Sequence, residues 1–168
     1  NGVAWTKIQI MKVHYIQTYD QLMTVNEGGN ALDTTQRIAN KDIPNTLEYI
    51  TAKILPTIGL EGFNIDAAVV GSAGKKDPDV TSGDIDIAVS IDKIAGHAGI
   101  DVKGVLKYIN DTLAAKGYET NIQYGFHQVN VAVPIDGDPK KGYCQVDLMV
   151  TDNLEWSKFI YHSPDYRK

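Results

Sequence analysis

Three aspartates are the residues whose type and spacing could support chemistry, and two of them lie close together in the chain. Asp84 and Asp86 belong to the stretch DIDIAVSI. Residues two apart in a strand point to the same face, so both carboxylates would project together while Ile85 and Ile87 face the core. Two neighbouring carboxylates repel each other and favour a compensating cation. Oxygen ligands on a rigid strand suit Mg²⁺, with water and phosphate oxygens completing its coordination shell.

The Asp-x-Asp pattern alone also fits a plainer interpretation. A solvated strand edge often carries acidic residues that discourage aggregation. Asp147 alters the balance, because it is a third acid within the apolar strand CQVDLMV. If that strand lies beside the one with Asp84 and Asp86, three carboxylates converge and could hold two divalent ions for in-line phosphoryl or nucleotidyl transfer. A plain α/β domain would instead separate Asp147 from Asp86 by more than about 8 Å, too far for shared metal ligands.

A glycine-rich turn precedes the acidic strand. Gly71 and Ser72 end an apolar run, and Lys75 and Lys76 follow them in GSAGKK. The spacing excludes a P-loop, which needs four residues between its glycines and a hydroxyl residue after the lysine. Backbone N–H groups and the Ser72 hydroxyl would still suit phosphate oxygens. Each lysine could add positive charge to a triphosphate or belong to a solvated loop.

Hydrophobic periodicity predicts the elements that must position these residues. Pro44 indicates the first turn of one helix, and Gly117 suits the end of a later helix. The predicted order is a helix from about 42 to 59, strands at 65–72 and 84–91, a helix at 102–117, strands at 128–135 and 144–150, and a helix near 154–162. This order predicts an α/β or α+β fold with one mixed β-sheet flanked by helices.

Composition narrows the class of protein. The chain has 168 residues, a length typical of one domain, and a net charge of -5. That charge argues against broad, sequence-independent binding to nucleic acid, although a local basic patch stays compatible with it. The single cysteine, Cys144, excludes an internal disulfide framework and favours a cytoplasmic setting. No apolar run approaches the length of a membrane span, so no membrane partner is expected.

Together these residues resemble the signature of the nucleotidyltransferase superfamily that includes DNA polymerase beta. The family pattern is an apolar residue, Gly, then Gly or Ser, a short gap, and an acid-apolar-acid triplet in a strand. Here the Gly71-Ser72 pair is followed by an eleven-residue gap and the triplet that begins at Asp84. The match extends over residues 65 to 150, which includes Asp147. The resemblance implies a nucleotidyltransferase-type mixed β-sheet flanked by helices.

The resemblance also implies a reaction and a role for each residue. Asp84 and Asp86 would bind two Mg²⁺ ions, or Mn²⁺, together with a nucleoside triphosphate such as ATP. Asp147 would bind the catalytic ion and help to deprotonate the acceptor hydroxyl. Gly71 and Ser72 would hold the β- and γ-phosphates. The expected reaction transfers NMP to an acceptor hydroxyl and releases pyrophosphate.

The chain is expected to divide into an N-terminal segment, residues 1–60, that packs on a catalytic core formed by residues 61–168. Relatives usually carry a further helical domain, so the resemblance implies either that a C-terminal domain is missing from this sequence or that the protein is a minimal form. The stretches EGGNAL and FIYHSPDYRK resemble phage-encoded members, which would place the protein in the host cytoplasm. The missing helical domain is one departure from the family pattern. The other is Gly83, which stands directly before Asp84 where many relatives have Ser.

Two further questions stay open at the level of sequence. The acceptor could be an RNA, a protein or a small molecule, and the preferred base is not indicated. The alternative function is a catalytically inactive module of the same fold that binds nucleotides or partners, such as a phage structural or antitoxin-type protein. Three retained acids favour the enzyme, because an inactive copy has no physical need for unpaired carboxylates on one face.

Overall fold

A computed structural model of the chain describes residues 31–71, 77–94 and 101–151. It is an α+β fold with a mixed five-stranded sheet, a two-stranded sheet and helices, which confirms the predicted fold class. The strands are β1 (Ile38–Ala39), β2 (Val69–Val70), β3 (Thr81–Ser82), β4 (Asp84–Ser90), β5 (Thr120–Gln123), β6 (Gln128–Pro134) and β7 (Tyr143–Thr151). The main helices are α1 (Ile43–Tyr49), α2 (Leu55–Thr57) and α3 (Val102–Ala115).

The large sheet has the strand order β2-β4-β7-β6-β5. β4 and β7 are parallel, and the other pairs are antiparallel. β4 therefore lies inside the sheet, between β2 and β7, and its register places Asp86 directly opposite Asp147. β1 and β3 form the two-stranded sheet, with Ile38 opposite Ser82.

One continuous helical segment joins α1 to α2 through a π-helical turn at Ile50–Ile54. Pro44 lies in the first turn, where its missing N–H is not needed. Pro56 lies inside the segment and cannot donate to the carbonyl of Ala52. The wider turn accommodates it, since the N–H of Leu55 bonds to the carbonyl of Ile50, five residues back.

The two faces of the large sheet differ in chemistry because alternate residues of each strand point to opposite sides. On the face that we call the helix face, aliphatic residues pack against α1, α2 and α3 in one hydrophobic core. Residues of 31–60 and of 61–151 share this core, as Ile38, Ile50 and Ile54 cluster with Ile85 and Leu148. The other face, which we call the acidic face, carries Asp84, Asp86 and Asp147 and polar side chains of β6 and β7.

Most predicted elements agree with the structure, with a few differences. The strand expected at 65–72 is only Val69–Val70, because Asn64 caps a turn in which Ala68 N–H bonds to the carbonyl of Ile65. Gly117 has a φ of +90° and ends α3 as expected. The short strands β1, β3 and β5 were not predicted. The helix expected near 154–162 lies outside the described residues.

None of the helices within 31–71, 77–94 and 101–151 has the length and apolar character that a membrane span requires.

Candidate metal centre

The three predicted aspartates converge on the acidic face. One carboxylate oxygen from each of Asp84, Asp86 and Asp147 lies within 4.8 Å of the corresponding oxygens of the other two. Asp84 and Asp86 are half-buried, and Asp147 is buried with 4% of its surface exposed. The plain-domain interpretation required a separation above about 8 Å, so the geometry is inconsistent with it.

The strand-edge interpretation also fails on the position of β4. An acidic edge strand would have solvent on one side, whereas β4 pairs with β2 at Asp86 and with β7 along its whole length. Ile85 and Ile87 point into the core and are fully buried. The acids therefore occupy the middle of the sheet, where uncompensated charge is costly.

Burial raises the pKa of all three carboxyls, and repulsion from neighbouring acids adds to the rise at Asp86 and Asp147. The pKa of Asp86 rises to about 7, chiefly through burial and then through the charges of Asp84 and Asp147. The pKa of Asp147 rises to about 6 through burial, against the opposing effect of hydrogen bonds from Asn130 and Gln145. A cluster whose acids resist ionisation is one that a bound divalent cation would stabilise.

Burial likewise raises the pKa of Asp84, and the positive charge of Arg37 opposes that rise. Arg37 is exposed and is held by Thr81, whose hydroxyl and carbonyl oxygens accept hydrogen bonds of 2.9 Å from its guanidinium. In the described part of the chain the two ion pairs are Lys107–Asp111 and Lys141–Asp136, and neither includes the cluster. Arg37 thus influences the site from its border without pairing with it.

Three side-chain amides surround Asp147. Asn130 Nδ2 donates to Asp147 Oδ1 at 2.6 Å, and Gln145 Nε2 donates to the same oxygen at 2.8 Å. Gln128 Nε2 donates to Oδ2 at 3.0 Å. Register explains the convergence, because Asn130 lies opposite Asp147 across β6 and β7, and Gln145 is two residues away on β7. These donors carry no net charge, so they hold the carboxylate without neutralising it.

In the side-chain amide of Asn130, the NH₂ group has a hydrogen-bond partner among the described residues and the oxygen has none. The residue is fully buried, and its Oδ1 accepts no hydrogen bond from the described residues. An unpaired buried acceptor costs about 1–3 kcal/mol. The orientation is nonetheless the favourable one, since a flipped amide would place its oxygen against the carboxylate of Asp147.

These amides were missed at the sequence level. Gln128 and Asn130 alternate with valines in QVNVAV, and Gln145 stands two before Asp147 in CQVDLMV. Polar residues at alternate positions of apolar strands are the available signal, because such residues share one face. Arg37 was missed as well, because its approach to Asp84 depends on the pairing of β1 with β3.

Gly71 is the one predicted phosphate-binding residue within the described part of the chain. It follows β2 with a φ of +73°, a conformation that favours glycine. A Cβ at this position would overlap Oδ2 of Asp86 and lie 3.3 Å from its Cγ. The turn backbone therefore approaches the acidic cluster as closely as only glycine permits. Ser72, Lys75 and Lys76 lie outside the described residues.

A cavity of about 600 Å³ lies apart from the carboxylates. It is lined by α1 residues and by Ile65 and Val69, on the side of the sheet that packs against the helices. None of the three aspartates lines it, so it contributes nothing to the arrangement described above.

The donor set fits a hard divalent cation. Three carboxylates and no sulfur or imidazole ligand in the described cluster suit Mg²⁺ or Mn²⁺ better than zinc or copper. The close approach of Gly71 to Asp86 leaves backbone next to the same cluster, where a phosphate oxygen could be held. A scan against protein-family models and searches of curated proteins and of solved structures found no match.

Proposed function

We propose that this protein is a Mg²⁺-dependent nucleotidyltransferase that transfers NMP from a nucleoside triphosphate to an acceptor hydroxyl. The observation that carries the proposal is the convergence of Asp84, Asp86 and Asp147 within 4.8 Å on adjacent central strands. Mn²⁺ is a possible substitute for Mg²⁺, because both prefer oxygen ligands. The resemblance in spacing of Gly71, Asp84 and Asp86 supports the choice of reaction.

The proposed reaction forms one bond and breaks another. The acceptor oxygen bonds to the α-phosphorus, the bond from that phosphorus to the β-bridging oxygen breaks, and pyrophosphate leaves. The hydroxyl proton would pass to solvent water. Asp147 would assist that loss, as the resemblance implies, by holding a cation that lowers the pKa of the hydroxyl. Divalent cations would supply charge stabilisation to the attacking and leaving oxygens.

The chain's own residues would act mainly by positioning. Asp84 and Asp86 are fixed by the backbone pairing of β4 with β2 and β7, so they would present oxygen ligands without reorganising. Gly71 would bring backbone N–H groups near the phosphates, and Ser72 and the lysines after it are proposed to extend that contact. The buried helix face keeps β4 and β7 rigid beneath the acids.

A labelling experiment tests this proposal. The protein would be incubated with Mg²⁺, each of four nucleoside triphosphates labelled at the α-phosphate, and pools of RNA, protein and small hydroxyl compounds. We expect label to enter one class of acceptor with release of an equal amount of pyrophosphate. The paired control is Asp86→Asn, in which both products should be lost.

The inactive-module alternative gives a different outcome in the same experiment. It predicts that a triphosphate binds but that neither labelled acceptor nor pyrophosphate forms with any pool. Failure to bind a triphosphate in the presence of Mg²⁺ would contradict both functions. The identity of the labelled pool would also identify the acceptor as RNA, protein or small molecule.

A further inference from the structure

The amides of Gln128, Asn130 and Gln145, which we call the amide clamp, leave Asp147 with few free lone pairs. A carboxylate has about four acceptor positions, two on each oxygen. Among the described residues, Oδ1 accepts from Asn130 and Gln145, and Oδ2 accepts from Gln128 alone. Oδ2 therefore retains the one open position within this network.

The amide of Gln145 has its orientation set by the backbone. Its Oε1 accepts a hydrogen bond of 2.9 Å from the N–H of Ala31. A backbone N–H cannot accept, so the amide must present its NH₂ group to Asp147. Asn130 takes the same orientation although its own Oδ1 has no hydrogen-bond partner among the described residues, because a flipped amide would turn that oxygen toward the carboxylate of Asp147.

A buried carboxylate that served only the fold would be expected to pair with Lys or Arg, or to be replaced by an apolar residue. The clamp instead uses neutral donors, which fix the rotamer of Asp147 and leave its negative charge for a ligand. Hydrogen bonds from neighbouring side chains orient metal ligands in this way in known metal sites.

We infer that Gln128, Asn130 and Gln145 are positioning residues that present a single Oδ2 lone pair of Asp147 to a divalent cation. The inference rests on the proposed function for the presence of that cation. It goes further by naming the residues that determine how tightly the site binds the cation. Asn130 has the largest expected effect, because its contact is the shortest and it is fully buried.

Mn²⁺ binding to the full chain tests the inference. Asn130→Leu removes one donor at similar volume, and we expect it to weaken Mn²⁺ binding by about 10- to 100-fold. The matched control is Asn121→Leu, the same change at the exposed residue opposite Asn130 on β5, which should leave the affinity unchanged. Free Mn²⁺ would be counted by electron paramagnetic resonance on protein that retains a cooperative thermal transition.

A second variant keeps the test decisive if Asn130→Leu does not fold. Gln128 is half-buried, and Gln128→Met removes the Oδ2 donor with little change of shape. We expect about tenfold weaker Mn²⁺ binding. Affinities equal to that of the unmodified protein, or tighter, would overturn the inference, because the amides would then be structural or would compete with the cation.

The outcomes separate this inference from the proposed function. If the unmodified protein binds Mn²⁺ and the clamp variants bind it equally well, the inference fails and the proposed function stands. If the folded, unmodified protein binds no Mn²⁺, both fail.

Discussion

The two faces of the central sheet are formed by the same strands, but burial of their side chains has opposite effects on the free energy of folding. On the helix face, Ile85, Ile87 and Leu148 are fully buried among other aliphatic side chains. On the acidic face, the intervening Asp86 and Asp147 are substantially buried without a cation partner among the described residues. The helix face gains free energy from burial, whereas the acidic face costs free energy until a ligand compensates its charge.

Under the proposed function, the helix face provides stability and the acidic face provides the reactive groups. Residues one apart in β4 should therefore respond to substitution in opposite ways. Ile87 should matter for folding and Asp86 for chemistry, although their backbones are neighbours. The predictions below test that separation.

The largest expected effect on stability is at the helix face. Ile87→Ala removes a fully buried side chain from the core, and we expect a loss of about 2–5 kcal/mol in the free energy of unfolding. Urea denaturation measures it. Transfer activity per folded molecule should be retained. A variant that loses activity while remaining fully folded would show that the two faces are not separable.

At the acidic face, Asp86→Asn should reduce the proposed nucleotidyl transfer by about a hundredfold or more, because it removes a preorganised charge at the centre of the cluster. Its thermal stability at pH 7.5 without metal should be equal to or above that of the unmodified protein. Rates and melting temperatures would be measured together. Asp79→Asn, which removes an exposed acid outside the cluster, is the control and should change neither.

The pH dependence of stability should also report on the acidic face. The pKa of Asp86 is about 7 in the folded protein, against about 3.9 for an unperturbed aspartate. The folded state therefore binds more protons than the unfolded state between these values, and stability falls as pH rises through that window.

Melting temperatures from pH 4 to pH 8 in metal-free buffer check this expectation. The stability of Asp86→Asn relative to the unmodified protein should increase from pH 4 to pH 7 and level off above it. Saturating Mg²⁺ should reduce the difference. A constant difference across the range would contradict the raised pKa.

A smaller effect is expected at the glycine turn that borders the acidic face. Gly71→Ala should cost about 1–2 kcal/mol from its left-handed backbone conformation, and should also displace Asp86, which a Cβ there would overlap. Gly62→Ala is a matched control, since Gly62 has a φ of +69° and open space around it. Both variants should lose stability in urea, Gly71→Ala by at least as much as Gly62→Ala, but only Gly71→Ala should weaken triphosphate binding. Equal binding by the two would contradict a role for the turn.

Several features of this fold could be predicted from local patterns in the sequence. α3, β4, β6 and β7 lie within a few residues of their predicted bounds, because each has a clear period and a turn residue at its end. The convergence of Asp147 with Asp86 was expected only if their two strands were neighbours, and the pairing of β4 with β7 meets that condition.

Other features depend on contacts that a single sequence does not reveal. β5 is the short polar run Thr120–Gln123, and it becomes a strand because β6 offers it an edge. The amide clamp requires the register of β6 against β7, which sets Asn130 opposite Asp147. A shift of one residue would have turned Asn130 into the core.

Calorimetric titration with ATP and GTP, with and without Mg²⁺, tests the central claim most directly. We predict binding that requires Mg²⁺ and that is abolished in the double variant Asp84→Asn plus Asp86→Asn, with the double variant still folded. Triphosphate binding that is independent of Mg²⁺, or unchanged in the double variant, would contradict the assignment of the acidic face as a metal-dependent nucleotide site.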